Sequence, residues 1–225
     1  MSKDKSISDK IELIGPYSMV QSDKGQRLTQ DPFLLTDFLL PLKKEDTVID
    51  LGTGTGIIPL LLCSRTEAQN IIGVEIEAKA AAIAGNNIEM NGLSGRVSII
   101  EADYRELRGM YPQGAFTVIV SNPPYTKANS GRVSPNKERA MARSEVAGTL
   151  SELVSISKYL LSENGRIFYI FPVSRLFEML GEVREAGLRA RRLRFIHTSP
   201  KKAARLFMIE IGFKGELKVE EPVFL

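Results

Sequence analysis

Short, nearly continuous apolar runs alternate along the chain with longer segments whose apolar positions recur at helical spacing. The runs 47–51 (TVIDL), 70–75 (NIIGVE), 97–100, 116–121 (FTVIVS) and 166–171 predict buried strands. Between them, 57–65 (IIPLLLCSR) and the alanine-rich 78–90 predict helices, with further helical candidates near 103–108 and 146–161. Ahead of the first strand, the run 32–42 (PFLLTDFLLPL) predicts a short helix with Pro32 in its first turn. Strands alternating with helices at this spacing predict an α/β fold, a mostly parallel sheet covered on both faces. Two closing strands, 189–196 and 205–213, are separated only by HTSPKK and its neighbours, which predicts a hairpin and an antiparallel strand at one sheet edge, seven strands in all. Residues 1–45 are expected to form a leader and 46–225 the sheet-bearing domain.

A chain of 225 residues, 43% apolar, can bury a core without disulfides or metal. One cysteine, Cys63, and one histidine, His197, remove most catalytic options, since a zinc site or a Cys-His or Ser-His-Asp apparatus would have to rest on one of them. The opening MSKDKSISDK has no apolar signal core, and no run approaches a membrane span, so a cytoplasmic location is expected, with no membrane partner. The net charge of +3 is unevenly spread: 184–205 carries +7, 126–143 carries +4, and the rest of the chain carries −8. Clustered cations suit a polyanionic partner, and they equally suit solvated surface faces.

The segment Asp50-Leu-Gly-Thr-Gly-Thr-Gly joins the first parallel strand to its helix. Glycines at 52, 54 and 56 let the backbone turn tightly and bring bare amides to a ligand. Gly56 follows Gly54 by two residues rather than three, and Asp50 would repel a pyrophosphate, so the loop suits a cationic nucleoside better than a dinucleotide. Glu75, 19 residues after Gly56, is placed to accept from ribose hydroxyls, and Asp103 from an adenine amino group. Ser121-Asn-Pro-Pro-Tyr follows the fourth strand. Prolines 123 and 124 fix a turn in which the Asn122 side-chain carbonyl and a backbone carbonyl can hold one NH2 group, and Tyr125 offers a stacking face.

These motifs, DLGTGTG, VEIE, EAD and NPPY in that order, resemble the class I methyltransferases that use S-adenosylmethionine, over roughly 46–213. The resemblance implies a Rossmann-like fold. NPPY narrows it to the amino-methyltransferase group, which modifies adenine N6, cytosine N4, guanine N2 or the glutamine side-chain amide. A target-recognition domain, general in the DNA-modifying members, has little room here, and 49 residues before Asp50 are few for the helical domain of the glutamine enzymes. The chain is most similar to the bacterial family that methylates N6 of adenine 37 in tRNA1(Val), sharing the leader RLTQDPFLL, NPPY and the basic segments. That resemblance implies Asp31 near the cofactor, and tRNA contacts from Lys127, Arg132, Lys137, Arg139, Arg143, Arg194, Lys201, Lys202 and Arg205. A glutamine N5-methyltransferase acting on a protein is the alternative within the group. A catalytically silent RNA-binding protein on the same scaffold is the alternative outside it.

Overall fold

The computed structural model describes residues 10–21, 29–123 and 149–225. Its centre is a nine-stranded sheet preceded by a separate hairpin, β1 (Lys10–Ile14) and β2 (Tyr17–Gln21). The sheet strands are β3 (Thr47–Leu51), β4 (Asn70–Glu75), β5 (Val97–Glu101), β6 (Phe116–Ser121), β7 (Leu161–Pro172), β8 (Arg189–His197) and β9 (Ala204–Gly212), with two-residue strands β10 (Lys218–Val219) and β11 (Val223–Phe224). They run in the order β10-β8-β9-β7-β6-β3-β4-β5, with β11 also on β8. Every pairing from β5 to β7 is parallel, and β9 is antiparallel to both β7 and β8.

Alternation along the strands divides the interior into two cores. Phe168 and Ile170 of β7 face a core shared with α1 (Asp31–Leu39), α2 (Ile57–Arg65), α3 (Ala78–Met90) and the hairpin. Ile167, Tyr169 and Phe171 face the other, covered by α4 (Leu150–Leu160) and α5 (Leu176–Glu185). The α1 helix stops at Leu39, short of the predicted 42, because Leu40 precedes Pro41 and takes an extended conformation. At the start of α4, Thr149 and Glu152 form a reciprocal capping box. The segment 104–109 is a 3-10 turn capped by Asp103.

β7 begins five residues earlier than the apolar run suggests. Leu161 pairs with Phe116, and pairing resumes only where Arg166 faces Val118, so the intervening SENG forms an irregular bulge. Helix α5, the β1–β2 hairpin and the two-residue strands β10 and β11 are additions to the predicted elements; β10 and β11, which pair with β8 from the chain's last segment, bring the sheet from the predicted seven strands to nine. The hairpin is clipped to α3 by two asparagines one helical turn apart. The Asn91 side-chain amide exchanges hydrogen bonds with the Ser18 backbone (2.9 and 2.7 Å), and that of Asn87 with the Val20 backbone (2.7 and 3.0 Å). Among the described residues, no helix is long and apolar enough to cross a membrane.

Candidate active site

The chain leaves β3, adds β4 and β5 on one side, and then returns to place β6 on the other side of β3. Ligands in open parallel sheets bind at such a reversal, outside the carboxyl ends of the strands. Here the ends of β3 and β6 carry the glycine loop and Asn122. The Ser121 hydroxyl donates to the Leu51 carbonyl at 2.6 Å, fully buried, and fixes the start of the Asn-Pro segment against the start of the glycine loop.

The loop is stapled to β4. Both the Gly52 and Thr53 amides donate to the Val74 carbonyl at 2.9 Å, and the Gly54 amide donates to Glu75 Oε2 at 2.8 Å. Gly52, Gly54 and Gly56 have φ of 80°, 60° and 86°, a region that penalises any side chain. At Gly52 and Gly54 a Cβ would meet no atom within 4 Å, so space for a ligand lies open above them. Gly73 in β4 has a different reason to be glycine: a Cβ there would come within 2.9 Å of the Thr53 side chain. The buried Asn87 amide also donates to the Thr55 carbonyl at 2.9 Å, so one side chain holds both the loop and the hairpin.

Asp50 is fully buried, and neither of its carboxylate oxygens, nor the Thr53 hydroxyl, has a hydrogen-bond partner of normal geometry. Burial pushes its carboxyl up to about 7; the nearby Thr53 hydroxyl pulls it down and the charge of Glu75 adds to the rise. The other Glu75 oxygen accepts from the Glu77 amide at 2.9 Å, which fixes the carboxylate and leaves lone pairs for further donors. Asp103 is held below the ordinary carboxylate range by the Arg105 guanidinium, whose Nε and Nη2 both donate to its carboxylate. Asp31 is buried in the first turn of α1. Among the described residues no cluster of histidine, cysteine and carboxylates could hold a metal ion.

Asn122 and Pro123 follow β6 directly, at the same sheet edge as Asp50 and Glu75. Pro124, Tyr125, Lys127, Arg132, Lys137, Arg139 and Arg143 lie outside the described residues. Lys201, Lys202 and Arg205 are exposed in and beside the β8–β9 turn. Arg194 is ion-paired with Glu220 and lies over the Phe38 ring, 5.6 Å from its centroid. Simple alternation would send Arg191 and Arg192 to opposite faces. A register shift between Ala190 and Arg192 instead lets both reach Glu210, at 3.5 and 2.8 Å. Ser121 and Asn87 are positioning residues that motif reading passes over, because their partners are backbone carbonyls 70 and 32 residues away.

The fold is that of the class I methyltransferases: a structure described as a predicted O-methyltransferase from Agrobacterium tumefaciens superposes with a TM-score of 0.66, covering 86% of each chain at 18% identity. The family model for the methyltransferase small domain matches residues 11–171, and the chain belongs to that family. A relative from Porphyromonas gingivalis strain W83, named tRNA1(Val) (adenine(37)-N6)-methyltransferase, is 34% identical over 72% of this chain; the chain spans 64% of that protein's length. A relative of the same name from Shewanella loihica is 31% identical over 86% of this chain and 79% of its own length.

Proposed function

We propose that this chain is an enzyme that transfers the methyl group of S-adenosylmethionine to the exocyclic N6 of an adenine in cytoplasmic tRNA. Its relatives' names suggest position 37 of tRNA1(Val). The observation that carries the proposal is a buried Asp50 carboxylate without a hydrogen-bond partner, beneath a glycine loop with open space above it. Those features fit a ligand bearing both a cationic amino group and hydroxyls, and the Asp50 position is hostile to phosphate.

In this reading the backbone of Gly52, Gly54 and Gly56 lies against the cofactor, and Glu75, its carboxylate already fixed by two amides, accepts from ribose hydroxyls. Asp50 faces the cationic end, Asp103 accepts from the adenine amino group, and Asp31 of the 1–45 leader borders the same space as the 46–225 domain. When bound, S-adenosylmethionine supplies an electrophilic methyl group on a sulfonium and leaves as S-adenosylhomocysteine. The Asn122 side-chain carbonyl and a main-chain carbonyl accept the two hydrogens of the target NH2, which favours a pyramidal nitrogen with its lone pair directed at the methyl. As the N–C bond forms and the methyl–sulfur bond breaks, the nitrogen becomes cationic and acidic, so its proton passes to water without a strong base. Pro123 and Pro124 hold the turn, and Tyr125 stacks on the target base, extracted from its neighbours. Lys127, Arg132, Lys137, Arg139 and Arg143, together with Arg194, Lys201, Lys202 and Arg205, contact phosphates.

The test is methyl transfer in vitro, with purified protein, labelled S-adenosylmethionine and either total tRNA or a peptide-release factor. Label recovered as N6-methyladenosine is the expected result. Label recovered only in protein glutamine would move the assignment to the glutamine enzymes, and no transfer to either would leave a silent RNA-binding scaffold.

A further inference from the structure

We infer that Phe177, at the start of α5, is a stacking platform for a nucleobase flanking the methylated adenine; this rests on the tRNA substrate proposed above. Phe177 is 93% exposed, against 37–76% for the other exposed large apolar side chains of the described residues. Its helix buries Met179 and Val183, and Phe177 lies off that stripe, so the ring contributes nothing to the core. Isolated exposed apolar residues are common, and location is what gives this one meaning.

β7 runs parallel to β6, so its last residues stand at the edge that carries Asn122. Ser121 is level with Tyr169, and the chain then continues through Phe171 and Pro172 into a 3-10 turn, 173–175, before α5 begins. Phe177 is therefore in the first turn of a helix that starts on the site side of the sheet. Pro172 pairs with Leu206 of β9, and the 173–175 turn packs against β9, which brings the rim beside Arg205 and the β8–β9 turn. Lys201, Lys202 and Arg205 have no ion-pair partner among the described residues, whereas Arg175 is neutralised by Glu178. No Asp or Glu occurs from Thr198 to Ile209. An exposed aromatic face beside unpaired cations is the arrangement that holds single-stranded nucleic acid: cations track the phosphates, and a base lies on the ring. A nucleotide whose neighbour has been extracted into a pocket is unstacked on one side and gains most from such a ring.

The chain has no tryptophan, so Phe177→Trp both preserves a stacking face and installs a single tryptophan that can be excited apart from the tyrosines. An anticodon stem-loop RNA carrying the target adenine should quench that fluorescence on binding, and the variant should methylate at close to the wild-type rate. Phe177→Ala and Phe177→Leu should each raise the KM for tRNA by about fivefold to a hundredfold, the range of one lost base stack, with cofactor affinity and melting temperature unchanged. Wild-type KM in the alanine variant, rescue by leucine, or no quenching at saturating RNA would each overturn the inference while leaving the tRNA proposal intact. Wild-type protein that neither binds nor methylates tRNA, including one that methylates a protein instead, would overturn both.

Discussion

Asp50 on β3 and Glu210 on β9 are carboxylates almost completely enclosed in the same sheet, and their surroundings are opposite. Glu210 accepts from Arg192 Nη1 at 2.8 Å with Arg191 close by; Arg192 in turn donates to Glu220 at 2.7 Å and lies 4.3 Å from the Phe38 ring centroid. This cluster joins β8, β9, α1 and the chain's last segment, so its charges serve the fold. Asp50 has no such partner and carries the cost of burial as a carboxyl raised to about 7. A buried group left unsatisfied where strand ends meet a glycine loop supports the cofactor-facing role proposed for Asp50. The same contrast revises the charge count. Three of the eight cations in 184–205 are engaged with Glu210 and Glu220, and the exposed remainder near the site is concentrated at Lys201, Lys202 and Arg205.

Variants that cross this divide have graded consequences. The largest effect is expected at Asn122: Asn122→Ala should reduce turnover by about a hundredfold or more while S-adenosylmethionine affinity, measured by calorimetry, barely moves, because the lost contact matters chiefly in the transition state. Normal turnover would make Asn122 a turn residue only. Next, Glu75→Ala should weaken cofactor binding by roughly tenfold to a hundredfold, the loss of hydrogen bonds worth about 1.5–3 kcal/mol to a charged acceptor. Unchanged affinity in a folded variant would remove Glu75 from the cofactor site.

A smaller effect separates free from engaged cations. The joint variant Lys201→Ala/Lys202→Ala should shallow the log–log dependence of tRNA affinity on salt by roughly one to two units. Arg194→Ala should change it less per charge removed, since Glu220 already neutralises that guanidinium. Equal slopes for wild type and the double-lysine variant would return the turn to a solvated face. A separate effect, read without substrate or cofactor, is in stability. An acid whose folded value lies near 7 and whose unfolded value is near 3.8 keeps its proton in the folded state, so stability falls as pH rises from about 4 to about 7. Asp50→Asn should be matched with wild type near pH 4 and gain on it by up to a few kcal/mol at neutral pH, read as melting temperature without cofactor. A difference that stays constant with pH would contradict the buried-acid assignment.

The parallel half of the molecule was legible because its signals are local. TVIDL, NIIGVE and FTVIVS became strands at the predicted residues, and Asp50, the glycines and Glu75 fell at their ends. Helix α5 carries a readable pattern, Leu176, Met179, Leu180 and Val183, which the elements predicted here did not include. The hairpin is harder to read: its two five-residue strands bury few apolar side chains, and Asn87 and Asn91 supply hydrogen bonds that no local pattern contains. The partners of Arg191 and Arg192 depend on a register shift, and a one-residue irregularity leaves no mark on an apolar run.

The proposed reaction meets its most direct test in tRNA from cells lacking this chain, digested to nucleosides, quantified by mass spectrometry and mapped by fragment. Adenine 37 of tRNA1(Val) should lose its N6-methyl group. Re-expression of the wild-type chain should restore it, and Asn122→Ala should not. Unchanged N6-methyladenosine at that position in the deletion strain, or full restoration by Asn122→Ala, would contradict the assignment of this site to adenine methylation.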